Sequence, residues 1–476
     1  MADIIKPDLC ILGAGAAGVA LAMDARSHGA SVVLIDPGGP GDSLRSGPVP
    51  AAALAAAAAR AHGVRTAGAF GMGNADPKPN FRNLHDHIQG VIADIAPLQS
   101  PERLTALGIE LIAAPAAFID RRTLKAGETV IRARRFVIAS GSRPLVPALK
   151  NLDAVPFFTT DTIFGNNYKL SHLVILGGGA TGMAFAQAYR RLGCAVTVVE
   201  AGKALANADP ELAEIVLRRL REEGVSIHEQ TQALELVPRS QGIGVPIRYA
   251  DGSETALDAS HILLALGRTP DFDGLALDKA GIKLDPQRPG QLLLRPGLRT
   301  ANRRVHAIGE AAGSAPSLQA AQHDARVVLE AALFGRAARG GAVPQVVQTD
   351  PALAQIGLTE PEARQRFNTG YCVVRASFAE NDRAIATRRG FGTAKVILDR
   401  HGLILGAAIA GPEAGELIAL FALAMARGIK LPELADMTAA APSFAGIAAA
   451  LVAAWRLQAG PEPRRQRRLA LIRLLP

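Results

Sequence analysis

Two stretches of this 476-residue chain follow one local plan. The first, DLCILGAGAAGVALAMDARSHGASVVLID (8–36), reads as an apolar strand, then Gly13, Gly15 and Gly18 spaced as GxGxxG, an amphipathic helix, a second apolar strand and Asp36 at its end. The second, LVILGGGATGMAFAQAYRRLGCAVTVVEA (173–201), repeats the order with Gly177, Gly179, Gly182 and Glu200. In such a unit the first glycine permits a tight turn and the second lets a pyrophosphate approach the backbone. The third lets helix and strand close on each other. The helix N-terminus then faces the phosphates, and the acid accepts hydrogen bonds from a ribose. Two units predict two dinucleotides. Glu200 predicts NAD(H) over NADP(H), because a carboxylate repels a 2'-phosphate.

The length suits two or three domains of roughly 100–200 residues each. From about Val343 the pattern changes: GTAKVILDRHGLILGAAIAG (392–411) reads as a hairpin turning at Asp399 to Gly402, and two alanine-rich helical stretches follow. This part is α+β. The stretches LIALFALAMA (417–426) and IAAALVAAW (447–455) are too short to span a membrane and read as buried helices. The start, MADIIKPDLC, lacks the layout of a signal peptide, so a cytoplasmic protein is expected.

The formal charge is +9, but six arginines against one glutamate from Arg456 onward carry much of it. That distribution argues against nucleic-acid binding. The tail RRQRRLALIRLLP reads first as a solvated terminus, and second as a short basic helix making weak contact with a membrane surface or a protein. Cys10, Cys194 and Cys372 are the only cysteines, too far apart in sequence for a CxxC or zinc pattern, and are expected as buried small hydrophobes. His85-Asp86-His87 reads as a solvated helix face, since residues two apart on a helix do not share a face; no metal is expected.

Further along stand ASGSRP (139–144), ALGRTPDFDGL (265–275), HAIGEAAG (306–313), TDPALAQIGLTEPEA (349–363) and AKVILDRHGLILGAAIAGPEAGELI (394–418). With the two glycine motifs, in this order, the chain resembles the class I pyridine nucleotide-disulfide oxidoreductases, the flavoprotein group of dihydrolipoamide dehydrogenase, glutathione reductase and mercuric reductase. The resemblance covers about residues 8–455. It implies an α/β fold of two Rossmann-like domains, binding FAD and NAD(P), plus a C-terminal α+β dimerisation domain that builds a homodimer. The expected division is 1–150 and 286–342 for FAD, 151–285 for NAD(H), 343–458 for dimerisation and 459–476 for the basic tail. FAD is expected over Gly13, Gly15, Gly18, Asp36, Ser140 and Gly141, with Gly309 and Glu310 beside the ribityl chain. NAD(H) is expected over Gly177, Gly179, Gly182, Glu200 and Gly267. The family usually has aspartate where this chain has Glu310, one methylene longer.

The family's dithiol is missing. Where the resemblance places its two cysteines and following lysine, this chain has Gly41, Ser46 and Pro50; Ala184 stands for the lysine's acid partner, and Ala441 and Gly446 for a C-terminal histidine and glutamate. The last histidine is His401. The cysteine pair near the end of mercuric reductases is also absent. Arg45 and Ser46 are the remaining candidates beside the flavin: an arginine could stabilise a reduced flavin or bind an acidic substrate, while Arg45 with Asp42 also reads as a surface ion pair and Ser46 as a structural turn serine. The resulting expectation is an NADH oxidoreductase passing electrons from FAD to a diffusible small-molecule acceptor. The alternative is a catalytically silent flavin-binding dimer that binds a partner.

Overall fold

The computed structural model describes residues 4–336, 341–460 and 463–473; the side chains of residues 42, 43 and 463–465 lie outside that description. Among the described residues three five-stranded sheets form the main framework, with two four-stranded sheets and one two-stranded sheet beside them. The first is wholly parallel, in the order Val305–Ala307, Arg135–Ile138, Leu9–Leu12, Val32–Ile35, Ile109–Ile112. The second is also parallel, in the order Phe157–Thr159, His261–Leu264, His172–Leu176, Ala195–Val199, Ser226–His228. Leu9–Leu12 and Val32–Ile35 are buried along their whole length, as expected of central parallel strands covered on both faces. The helices Ala16–Ser27 and Leu318–Leu333 cover one face of the first sheet through Val19, Leu21, Ala325, Val328 and Leu329.

The third sheet is antiparallel: Gln345–Val347, Ala352–Gly357, Ile404–Gly411, Thr393–Asp399, Tyr371–Ser377. The hairpin expected over 392–411 is its central pair. Helices Ala414–Arg427 and Gly446–Ala459 pack on it through Ile418, Phe421, Leu451 and Val452. They are less buried than the sequence led us to expect. Leu423 is 59% exposed, and Ala449 and Ala453 are exposed too, since each helix gives only one stripe to the core. No helix among the described residues is long and apolar enough to cross a membrane.

Two features position the site. Ser142–Pro144 pairs antiparallel with Arg268–Pro270, which joins the first unit to the second. The segment after Asp36 forms a short helix, Asp42–Ser46, broken at Gly47, and then the long helix Pro48–Arg65. Alanine richness and proline in the first turn favour that second helix. Its buried face, Ala53, Leu54, Ala58 and Ala61, shares a core with Met183, Ala186 and Tyr189 of the helix Ala180–Arg191. The tail is helical over Pro463–Ile472, with Leu469, Leu471 and Ile472 exposed.

Candidate functional site

Both glycine turns have the same geometry for the same reason. Gly13 has φ +115° and Gly177 φ +112°, a region that side chains rarely adopt. A β-carbon on Gly13 would overlap the Ala139 carbonyl, and one on Gly177 the Ala265 carbonyl. Gly18 sits against the Gly13 carbonyl and Gly182 against that of Gly177, again too close for a side chain. Gly15 and Gly179 differ: a β-carbon there would meet no atom within 4 Å. Each is the residue before its helix, neither helix carries a side-chain cap or an acid in its first turn, and the first amides therefore face open space. Free amides plus a helix dipole form an anion site, so both turns fit a pyrophosphate.

The acids are bound into the turns. Asp36 Oδ2 accepts from the Ala14 amide at 2.7 Å and Oδ1 from Gly38 at 2.9 Å. Glu200 Oε2 accepts from Gly178 at 2.6 Å and Oε1 from Gly202 at 2.7 Å. A carboxylate oxygen can accept more than one hydrogen bond, so each acid retains capacity for a ribose hydroxyl while it fixes the glycine turn. Sequence reasoning passed over Gly178. A β-carbon there would lie 2.9 Å from that of Glu200, so the middle one of the three consecutive glycines is what lets the acid approach.

Ser140, Gly141, Gly267, Gly309 and Glu310 converge on the junction between the units. Ser140 Oγ donates to the Asp271 carbonyl at 2.5 Å, the Asp271 amide to Gly141 at 3.2 Å, and the Leu145 amide to Gly267 at 2.9 Å. Gly309 faces Ala17, in the first turn of the helix that follows Gly15. Glu310 Oε2 accepts from Ser142 Oγ at 2.5 Å and lies 3.6 Å from Arg268 Nε. Arg268 was missed in the sequence, although it stands next to Gly267. It donates to Asp161 at 2.6 and 3.2 Å, to Ser142 Oγ at 2.6 Å and to the Ser142 carbonyl at 2.7 Å. A planar guanidinium thus ties Ser142, Asp161 and Glu310 together, and Glu310 is drawn toward it.

Beneath Gly309, buried Asp324 accepts from the Gly309 amide at 2.9 Å and from Ser314 Oγ at 2.6 Å. Burial pushes its carboxyl up, against the pull of those two bonds. Asp324→Ala should cost about 1–3 kcal/mol, since it strands a buried amide. Asp324→Asn keeps an acceptor and should lose less. Urea unfolding of the two variants measures the difference; equal stabilities would show that the bond to Gly309 is immaterial.

Arg45 is exposed and Ser46 half-buried on the short helix; the expected Asp42 partner has its side chain outside the described residues. Gly41 caps that helix at φ +104°, and Pro50 is buried. Cys10 and Cys194 are buried, while Cys372 is only partly so, because its strand Tyr371–Ser377 is at the sheet edge. Burial raises all three thiols, Cys194 to about 11, so none favours a thiolate at neutral pH. His85 contacts Asp86 at 3.4 Å, and no cluster among the described residues could hold a metal.

The sequence model described as pyridine nucleotide-disulphide oxidoreductase matches residues 7–325, and that of the same family's dimerisation domain matches 343–450. A mercuric reductase of Streptomyces lividans is 30% identical over 438 residues, covering 90% of this chain and 92% of that one. A dihydrolipoyl dehydrogenase of Haloferax volcanii is 30% identical over 452 residues, covering 92% and 94%. Among solved structures, the HOCl-induced flavoprotein disulfide reductase RclA of Escherichia coli, as the Cu(II) complex of its C43S mutant, superimposes with a TM-score of 0.82 at 24% identity, covering 94% of this chain and 99% of that one. Two glycine turns of one geometry, an antiparallel third sheet and matches along nearly the whole length lead to one conclusion: the chain belongs to the pyridine nucleotide-disulphide oxidoreductase family.

Proposed function

We propose that this chain is an NADH oxidoreductase that works without a redox disulfide. FAD and a pyridine nucleotide are the family's cofactors, and its dimerisation domain supports a homodimer. Bound FAD would take a hydride from NADH and yield electrons to a diffusible acceptor such as a quinone, oxygen or a dye-like molecule. The chain's own residues bind and orient: the amides after Gly15 and Gly179 hold pyrophosphate, and Asp36 and Glu200 hold ribose. Arg268 fixes the junction between the two units by tying Ser142, Asp161 and Glu310 together. The observation that carries this reading is a contrast: both dinucleotide turns are intact, while Gly41 and Ser46 stand at the dithiol positions and every cysteine is a raised-pKa thiol elsewhere. The division at residues 150, 285, 342 and 458 remains part of the proposal, as does a cytoplasmic setting.

Mixing the flavin-loaded protein with NADH in the absence of oxygen tests it. The yellow flavin absorbance should be lost within minutes; if it persists, direct NADH oxidation is wrong. One observation favours a second reading, that of a silent flavin-binding dimer: Glu310, expected beside the ribityl chain, is engaged by Ser142 and Arg268. Retained flavin that NADH cannot reduce, with capture of a partner that depends on the basic helix Pro463–Ile472, would select it.

A further inference from the structure

Four arginines and a buried histidine meet at the end of the first sheet that faces away from the Gly13 turn. Arg135 begins the strand Arg135–Ile138, whose far end leads to Ala139 and that turn. The cluster therefore lies about 13 Å, one four-residue strand, from the dinucleotide site. Arg135 Nη1 and Arg304 Nη1 both donate to the Arg134 carbonyl, at 3.0 and 3.4 Å, which brings two guanidinium groups onto one oxygen. Arg299 pairs across an isolated bridge with His306, which neighbours Val137 in the adjacent strand. His306 is 2% exposed, and its Nδ1 meets the Gly297 carbonyl at 2.9 Å.

None of Arg134, Arg135, Arg299 and Arg304 makes an ion pair with another described residue. Arg299 Nε is shut off from solvent and has no acceptor. Asp8 is within the field of Arg134, yet it spends Oδ2 on the amide and hydroxyl of Ser31. Burial, with Arg134, Arg304 and Arg299 alongside, pulls the Arg135 guanidinium below its usual range, as expected of like charges held together. Like charges held together in this way favour a bound anion, and forked guanidinium donors match phosphoryl oxygens. A compact, partly buried cluster suits a compact anion of several charges better than a flat surface.

We propose that Arg134, Arg135, Arg299 and Arg304 form a binding site for a small oligophosphate, separate from both dinucleotide turns. The phosphoryl chain can be inorganic or carried by a nucleoside, and sodium tripolyphosphate and ATP probe the two sources. Calorimetric titration of the flavin-loaded protein, with NAD+ saturating and salt near physiological, should show saturable binding of at least one. Arg134→Gln/Arg304→Gln should weaken it by about tenfold or more with flavin content unchanged. Arg134→Gln alone, at an exposed side chain, replaces the double variant if that one fails to fold, and should weaken binding severalfold. No saturable binding by the parent protein, equal affinity in the variants, or binding confined to anionic phospholipid vesicles or nucleic-acid oligomers would overturn the proposal.

Discussion

Replacing Gly13 with alanine is expected to give a chain that is purified without flavin and melts far below the parent. Two physical terms add. A φ of +115° is foreign to a residue with a β-carbon, a strain of about 1–3 kcal/mol. The methyl group would also overlap the Ala139 carbonyl, and relieving it means parting Leu9–Leu12 from Arg135–Ile138, two central strands in register; overpacking of this kind costs about 1–3 kcal/mol. Gly15→Ala is the control. Its φ is −69°, and the methyl would enter open space, so stability should barely change. That space is where a pyrophosphate would approach, so flavin affinity should still fall. Thermal melts and flavin-to-protein ratios of the two variants separate folding from binding. A Gly13→Ala protein that keeps its flavin, or a Gly15→Ala protein that melts as early as Gly13→Ala, would contradict the account of the turn.

Lys395→Met should be the most damaging single change outside the glycine turns. Lys395, 2% exposed on the strand Thr393–Asp399, reaches Asp209 at 2.9 Å, Glu211 at 2.8 Å and Glu360 at 2.7 Å. Burial alone would lower the ammonium, but the bonds from Glu211, Glu360 and Asp209 outweigh it and raise it. Arg375 adds three bonds to Glu211, at 2.8, 3.1 and 2.7 Å, and one to Glu360 at 3.0 Å. The Arg375 bond is the main reason that the Glu211 carboxyl falls to about 2, with Lys395 next among the groups that lower it. Removing the lysine leaves Asp209, its side chain 1% exposed, as a buried charge without its cation. Breaking a buried pair on one side costs about 3–5 kcal/mol.

The pH dependence has a definite sign. Glu211 and Glu360 have depressed carboxyls, so in the parent their contribution is full above the unfolded value of about 4.3 and is lost as pH falls through their folded values, about 2 for Glu211. Lys395 is raised, so its contribution is full below the unfolded value and is lost only as strongly alkaline pH passes the folded one. In Lys395→Met, Glu211 and Glu360 have already lost the lysine that depresses them, so protonating them costs the variant less than the parent, and acid should narrow the gap. Melting both proteins at pH 7 and pH 4 measures this. A gap that widens in acid would mean that the carboxylates, and not the lysine, hold the cluster together.

The glycine turns were legible because every part of the signal lies within about 30 consecutive residues, and a steric requirement on φ leaves only one residue type. The hairpin over 392–411 was legible for a similar reason. The loop after Asp36 was harder. PGGPGDSLRSGPVPAAAL plainly holds no cysteine, but its folding into Asp42–Ser46 and Pro48–Arg65 depended on an alanine-rich face finding Met183 and Tyr189 of another unit. Arg268 stood beside a named glycine and was still overlooked, because its partner Asp161 lies 107 residues away. The same holds for Lys395 and Glu211, 184 residues apart. The arginine cluster was hidden in another way: RARR (132–135) and NRR (302–304) are short runs in a chain whose charge excess looked like a tail, and only the pairing of Val305 with Phe136 puts them side by side.

From the sequence alone came the two glycine turns, the acids that close them, the hairpin of the third unit and, through the resemblance, the expectation that the dithiol and the imidazole are missing. Each of these is set by local backbone sterics or by which atoms a side chain possesses. Only the folded chain shows where charge is gathered: the Arg268 junction, the Lys395 cluster and the arginines at the far end of the first sheet, which make no ion pair among the described residues. Electrostatic energy falls off with distance in space and takes no account of distance along the chain, so no window of sequence contains it.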